Sequence, residues 1–223
     1  KYHGEHSAFD QEAPVQLKAG GKYKIEVFYR NWTGNADMKL LWAQPRENLL
    51  ENAIEAASSA DAVILVLGLS PRLEGEELKV NTEGFSGGDR TSLNLPANQE
   101  KLLETILGTG KPVTVILMNG GPVASLQSQE RAGAVLLAGY NGVEGGDAVA
   151  DVLFGDYNPA GRLPVTYYRS AEQLPPFENY DMTDRTYRYF KGLPLYPFGY
   201  GLSYTTFAYS IPPFLYRTIQ KKD

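Results

Sequence analysis

Early in the chain the apolar positions alternate. Tyr23, Ile25, Val27 and Tyr29 interleave with Lys22, Lys24, Glu26 and Phe28, the period of two of a strand with one buried face, and Gly20-Gly21 precedes them as a turn. Met38-Lys39-Leu40-Leu41-Trp42 reads as a second strand beyond the polar loop from Asn31 to Asp37, so the pair predicts an antiparallel hairpin ending at Pro45. Two or three strands cannot bury both faces of a sheet. Residues 1–45 therefore read as the closing strands of a β domain whose beginning lies outside this sequence.

After Pro45 the period changes. Leu49, Leu50, Ala53, Ile54 and Ala57 share one helical face, and Ala62-Val63-Ile64-Leu65-Val66-Leu67 follows as a continuous apolar strand. A run apolar on both faces fits a parallel strand covered by helices on both sides. The unit then recurs. Pro96 opens a helix carrying Leu102, Leu103 and Ile106, which Gly108 and Gly110 end. Next come a strand Val113–Met118, a short helix from Pro122, a strand Ala134–Ala138, a helix Asp147–Phe154 and a strand Leu163–Tyr167. Alternating strands and helices with short connections predict an α/β class: an open, mostly parallel sheet with helices on both faces, an α/β/α sandwich. Beyond Tyr168 the periodicity fades into a Pro- and Tyr-rich tail.

Composition narrows the function. Of the 223 residues, 43% are hydrophobic and 12% aromatic, enough for a packed core and against disorder as the main state. The net charge is −5, and the sole basic run, Lys221-Lys222, reads as a solvated tail, so no nucleic-acid groove is expected. The longest apolar run is strand-sized, far from the roughly 18 residues of a membrane span, so no membrane partner is expected. No cysteine is present, which removes disulfides and thiolate chemistry together. His3 and His6 are too few for a metal site, and neither a metal nor a cofactor is assigned. Asn31-Trp32-Thr33 fits a glycosylation acceptor, but a chance match in a polar loop is the favoured reading.

In an open parallel sheet, ligands bind beyond the carboxyl ends of the strands. The loop after the first α/β strand is the longest, from Gly68 to Leu95, and loops of that length in compact domains are usually functional. It holds Leu73-Glu74-Gly75-Glu76-Glu77, then Glu83, then Gly87-Gly88-Asp89-Arg90. Crowded carboxylates raise one another's pKa, a usual route to a general acid, while a solvated acidic loop is the plainer reading. Asp89-Arg90 reads as a local salt bridge that shapes the loop near the substrate. Gly108-Thr109-Gly110-Lys111 lacks the Ser or Thr of a phosphate loop, Pro112 standing in its place, and reads as a helix stop. The Gly-rich turn from Gly139 to Gly146 suits either a phosphate at a helix N-terminus or a tight turn.

Four stretches together carry a specific signature: the acidic loop ending Gly-Gly-Asp-Arg; Met118-Asn119-Gly120-Gly121-Pro122-Val123; Asn158-Pro159-Ala160-Gly161-Arg162-Leu163-Pro164-Val165-Thr166; and Tyr196-Pro197-Phe198-Gly199-Tyr200-Gly201-Leu202-Ser203-Tyr204. In this order, over residues 46 to about 208, they resemble the C-terminal half of glycoside hydrolase family 3, the β-glucosidases and β-xylosidases. Residues 1–45 resemble the last strands of a protective-antigen-type β-sandwich, a carbohydrate-associated module inserted before this domain in some members. Tyr204-Thr205-Thr206-Phe207 resembles the linker to a fibronectin-type domain, which the remaining tail, 209–223, is too short to hold.

The resemblance implies a retaining, exo-acting β-glycosidase acting on terminal β-linked sugars of an oligosaccharide or glycoside, usually secreted or periplasmic. Two carboxyl groups about 5–5.5 Å apart are then required, one as nucleophile and one as acid/base. The family's nucleophile is an Asp, usually before Trp, on an N-terminal (β/α) barrel. No Asp-Trp pair occurs in this sequence, and the barrel's Lys-His pair is missing too. The chain is thus expected to be inactive alone and to need that barrel as its partner. The family's acid/base Glu belongs in the loop of Glu74, Glu76 and Glu77. A Gly-Glu pattern favours Glu76, a Glu-x-Glu pattern leaves Glu74 open, and spacing back from Gly-Asp-Arg allows Glu77. The alternative is a non-catalytic carbohydrate-binding or scaffold module.

Overall fold

The computed structural model describes residues 15–28, 40, 48–75, 80, 82–87 and 89–211. The chain divides into two compact units, Lys1–Glu47 and Asn48–Asp223. In the first, residues 15–28 form a turn at 19–20 and no strand; the Gly21 N–H donates to the Lys18 carbonyl (3.1 Å) and the Lys18 N–H to the Tyr23 hydroxyl (2.8 Å). The expected strand is therefore not formed over 22–28, and Ile25 and Val27 stay exposed. Period-two patterning makes a strand only where a neighbour completes the ladder. The expected partner, 38–42, lies outside the described residues apart from Leu40, as does Tyr29.

The second unit is built on a three-stranded parallel sheet. Helix α1 (Leu49–Ser59) precedes β1 (Val63–Gly68); α3 (Ala97–Leu107) leads to β4 (Val113–Met118); and α4 (Leu126–Arg131) leads to β5 (Ala134–Leu137), in the order β1-β4-β5. Between β1 and α3, the long loop contains a one-turn helix α2 (Pro71–Glu74) and a two-residue ribbon of β2 (Phe85–Ser86) with β3 (Asp89–Arg90). Helix α5 (Gly145–Phe154) follows β5 and buries none of its residues, and α6 (Thr186–Tyr189) is a single turn.

Side-chain alternation along the strands sorts the core. Val63, Leu65, Leu67, Val113, Val115, Leu117, Val135 and Leu137 meet Ala53 and Ala57 of α1 and Leu102, Leu103, Ile106 and Leu107 of α3. The opposite face of β1 carries Ile64 and Val66, which remain 52% and 56% exposed, so the run is not buried on both sides within this unit. Leu103 is fully buried at the centre of the cluster. Leu103→Ala is expected to cost about 2–5 kcal/mol, the transfer of the side chain plus the cavity it leaves, read as a lowered urea midpoint.

Two details of the expected order change. The short helix starts at Leu126 rather than Pro122, because 122–125 runs extended along the long loop, with the Ala124 N–H on the Leu93 carbonyl (2.7 Å). Leu163–Tyr167 makes no continuous strand. It meets 195–200 at two points: Leu163 exchanges bonds with Tyr200 and Gly199 (2.9 and 2.8 Å), and Tyr167 forms an antiparallel bridge with Tyr196. Pro164 between them has no N–H to continue the ladder. Gly108 to Lys111 is the expected helix stop: the Gly108 N–H caps on Glu104 (3.0 Å) and Thr109 Oγ1 donates to the Ile106 carbonyl (2.7 Å).

Candidate active site

The end of β1 is closed from two sides. Gln99 of α3 accepts from the Gly68 N–H through Oε1 and donates to its carbonyl through Nε2, both at 2.8 Å. The Leu69 N–H then reaches the Met118 carbonyl of β4 (2.8 Å). The acidic loop thus leaves the sheet from a fixed point. Ser70 caps α2, its Oγ accepting from the Leu73 N–H (3.3 Å), and Pro71 supplies the preset first helical φ. Four residues of helix suffice to turn the last of them, Glu74, back over the sheet's carboxyl edge.

There its carboxylate meets two other loops. Oε1 accepts from the Gly121 N–H (2.9 Å), and Oε2 accepts from the Gly120 N–H (3.3 Å) and from the Tyr140 hydroxyl. Gly120 and Gly121 follow β4, and Tyr140 follows β5, so one carboxylate ties together the carboxyl ends of all three strands. Glycine at 120 leaves room for this approach: a Cβ there would stand 2.9 Å from Glu74 Oε2 and 2.9 Å from Tyr140 Cε2, so one of them would have to shift. Asn119, 5% exposed, braces the same turn by donating from Nδ2 to the Gly121 carbonyl (2.6 Å).

Arg90 completes the cluster. Its Nη1 donates to the Pro122 carbonyl (2.5 Å) and its Nη2 to that of Asn94 (3.4 Å). Burial pushes its pKa down, against the attraction of the Glu74 carboxylate and then of Tyr140. The expected pairing with Asp89 is corrected here: Arg90 shapes the loop through backbone carbonyls, because neighbouring residues on a strand point to opposite faces, and Asp89 is exposed. The Tyr140 phenol is pushed up to about 12, first by desolvation and then by its hydrogen bond to Glu74 and that group's charge.

Of the expected acid/base residues, Glu74 is the one within this cluster; Glu76 and Glu77 lie outside the described residues. Gly120, Gly121 and Tyr140 were not singled out from the sequence as site residues. Their signal was positional: each lies in a glycine-rich stretch immediately after a parallel strand, where such sheets bind ligands. A cavity of about 530 Å³ opens elsewhere, lined by Glu83, Phe85, Leu95, Glu100, Glu104 and Gln127 among others, without Glu74, Arg90 or Tyr140. Burial pushes the Glu100 carboxyl up, partly offset by the Leu95 N–H it accepts. No helix among the described residues is long and apolar enough to cross a membrane.

Residues 6–204 match the glycosyl hydrolase family 3 C-terminal domain. The chain belongs to this family. It is 46% identical, over 86% of its length, to a xylan 1,4-β-xylosidase of Xylanibacter ruminicola, of which it covers 22%. It is 41% identical, over 73%, to a periplasmic β-glucosidase of Salmonella typhimurium, of which it covers 21%. Among solved structures, a β-glucosidase from Erythrobacter marinus is similar with a TM-score of 0.57 at 38% identity, over 73% of this chain and 21% of that one. The α/β fold is thus that of the family 3 C-terminal domain, and the chain spans about a fifth of the length of these relatives.

Proposed function

We propose that this family 3 chain is the acid/base-bearing part of a retaining, exo-acting β-glycosidase that releases terminal non-reducing glucose or xylose. The observation that supports this most directly is the Glu74 carboxylate, held at the carboxyl ends of three parallel strands where the acidic loop begins. In a retaining reaction one carboxylate attacks the anomeric carbon as a carboxylic acid protonates the leaving oxygen; the resulting carboxylate then takes a proton from the water that hydrolyses the glycosyl-enzyme. Glu76 takes the acid/base role in this reading, with Glu74 second and Glu77 third, and the nucleophilic Asp comes from an N-terminal barrel. Residues 1–45 are then the end of an inserted carbohydrate-associated β-sandwich module. A secreted or periplasmic location belongs to the same proposal, and the name of the Salmonella relative supports its periplasmic form.

The test is Glu76→Gln in the longer protein that joins this chain to such a barrel. Loss of a general acid lowers turnover by about 10²–10⁴-fold on glycosides with poor leaving groups. Activated aryl glycosides should suffer much less at the glycosylation step, and azide should restore turnover by displacing the enzyme carboxylate to give the β-glycosyl azide. Unchanged activity in Glu76→Gln, Glu74→Gln and Glu77→Gln alike would remove the catalytic assignment from this loop and favour a carbohydrate-binding or scaffold role.

A further inference from the structure

We propose that Glu74 is a positioning residue and not the proton donor: with Tyr140 it fastens the acidic loop to the Gly120-Gly121 peptides and so sets where the loop's acid/base glutamate stands. The inference rests on the glycosidase reading above. Its basis is the inventory of donors around one carboxylate. Backbone N–H groups can only donate, so Oε1 and Oε2 both act as acceptors, and Oε2 takes the Tyr140 hydroxyl as well. A proton donor must instead offer an O–H to the leaving oxygen within hydrogen-bond reach. Burial and the adjacent carboxylate keep the Tyr140 phenol protonated, hence a donor, well above neutrality.

The receiving peptides are themselves immobilised. Arg90 holds the Pro122 carbonyl, Asn119 holds that of Gly121, and the missing side chain at 120 admits the carboxylate and the phenol together. Glutamine cannot replace glutamate here despite its shape. It offers one oxygen and one NH₂, so whichever way the amide turns, one backbone N–H faces another donor. Phenylalanine at 140 removes a single hydroxyl and leaves the ring.

The experiment compares Glu74→Gln, Tyr140→Phe and Glu76→Gln in the same full-length protein. Turnover is measured on aryl glycosides of graded leaving-group ability, with and without azide, together with melting temperatures. Expected for the first two variants is a kcat per folded molecule lowered by about tenfold to a hundredfold. That loss should be the same for good and poor leaving groups, unaffected by azide, with KM within about twofold and a lowered melting temperature. A loss confined to poor leaving groups and rescued by azide in Glu74→Gln would make Glu74 the acid and overturn the proposal while leaving the glycosidase reading intact. If Glu74→Gln does not fold, Tyr140→Phe decides alone: wild-type kcat and melting temperature would overturn the clamp. If the parent hydrolyses no glycoside, the glycosidase reading fails, and unchanged melting of both variants in the 223-residue chain would overturn the clamp separately.

Discussion

Gly68→Ala is expected to leave the α/β unit unfolded, without the cooperative melt and helical circular dichroism of the parent chain. Gly68 is the last residue of β1, at φ +143, where residues with a side chain are strained. Strain alone would cost about 1–3 kcal/mol. The larger effect is contact: a Cβ at this position would stand 1.9 Å from the Met118 carbonyl oxygen and 2.6 Å from its carbon. Both are backbone atoms of the paired strand β4, in register with Gly68 itself, so no rotamer change relieves the overlap. Separating them breaks the Leu69–Met118 bond and displaces Gly68 from Gln99, at the edge of a core that includes Leu67, Leu69 and Leu117. Stability of a domain is about 5–15 kcal/mol in total, which the combined loss approaches. Gln99→Ala is the graded control. It removes the side-chain half of the clamp without a clash and should lower the melting temperature while keeping a cooperative transition. A Gly68→Ala chain melting like its parent would mean that β1 and β4 do not approach as described.

The contrast between Gly68 and Glu74 marks what was legible in the sequence. The α/β alternation was, because its signals are local: the apolar run of β1, the Leu102-Leu103-Ile106 stripe of α3, and the glycines that stop that helix act over one or two turns of chain. The parallel order follows from them through helical crossovers. Of the candidate cluster, the long loop after β1 and Glu74 within it were legible, but the network around them was not. Glu74 meets Gly121 across 47 positions and Tyr140 across 66, and nothing in the spacing of either stretch encodes that meeting. For the same reason adjacency in the chain suggests Asp89 as the partner of Arg90, whose actual partners are carbonyls at Pro122 and Asn94. Alternation at 22–28 misled in the opposite direction: it states which face a strand would bury, not that a neighbour is there to pair with. Pro164 was visible inside an otherwise strand-like run, and its missing N–H accounts for the two-point contact that replaced the strand.

The 223-residue chain expressed alone is expected to show no measurable hydrolysis of nitrophenyl β-glucoside or β-xyloside. Retention needs a second carboxylate about 5–5.5 Å from the acid/base, on the opposite side of the scissile bond. Among the described residues the cluster offers one anion, Glu74, already accepting from two amides and a phenol, and an arginine committed to two carbonyls. Glu83 lines the cavity with Glu100 and Glu104, which none of Glu74, Arg90 and Tyr140 reaches, and Asp89 is exposed on β3. Neither belongs to the cluster around Glu74. A general acid acting without a nucleophile contributes about 10²–10⁴-fold, well short of the 10⁶-fold or more by which enzymes typically exceed the uncatalysed reaction. On the proposed reading a family 3 barrel added in trans supplies the missing group, and weak turnover on docking is the expected result. That turnover should vanish when the barrel's nucleophilic Asp is replaced and should fall in the Glu76→Gln chain. Robust hydrolysis by the purified chain with no barrel present would require a nucleophile within it, with Glu83→Gln and Asp89→Asn as the variants to identify it, and would overturn the division of the two catalytic carboxylates between two domains.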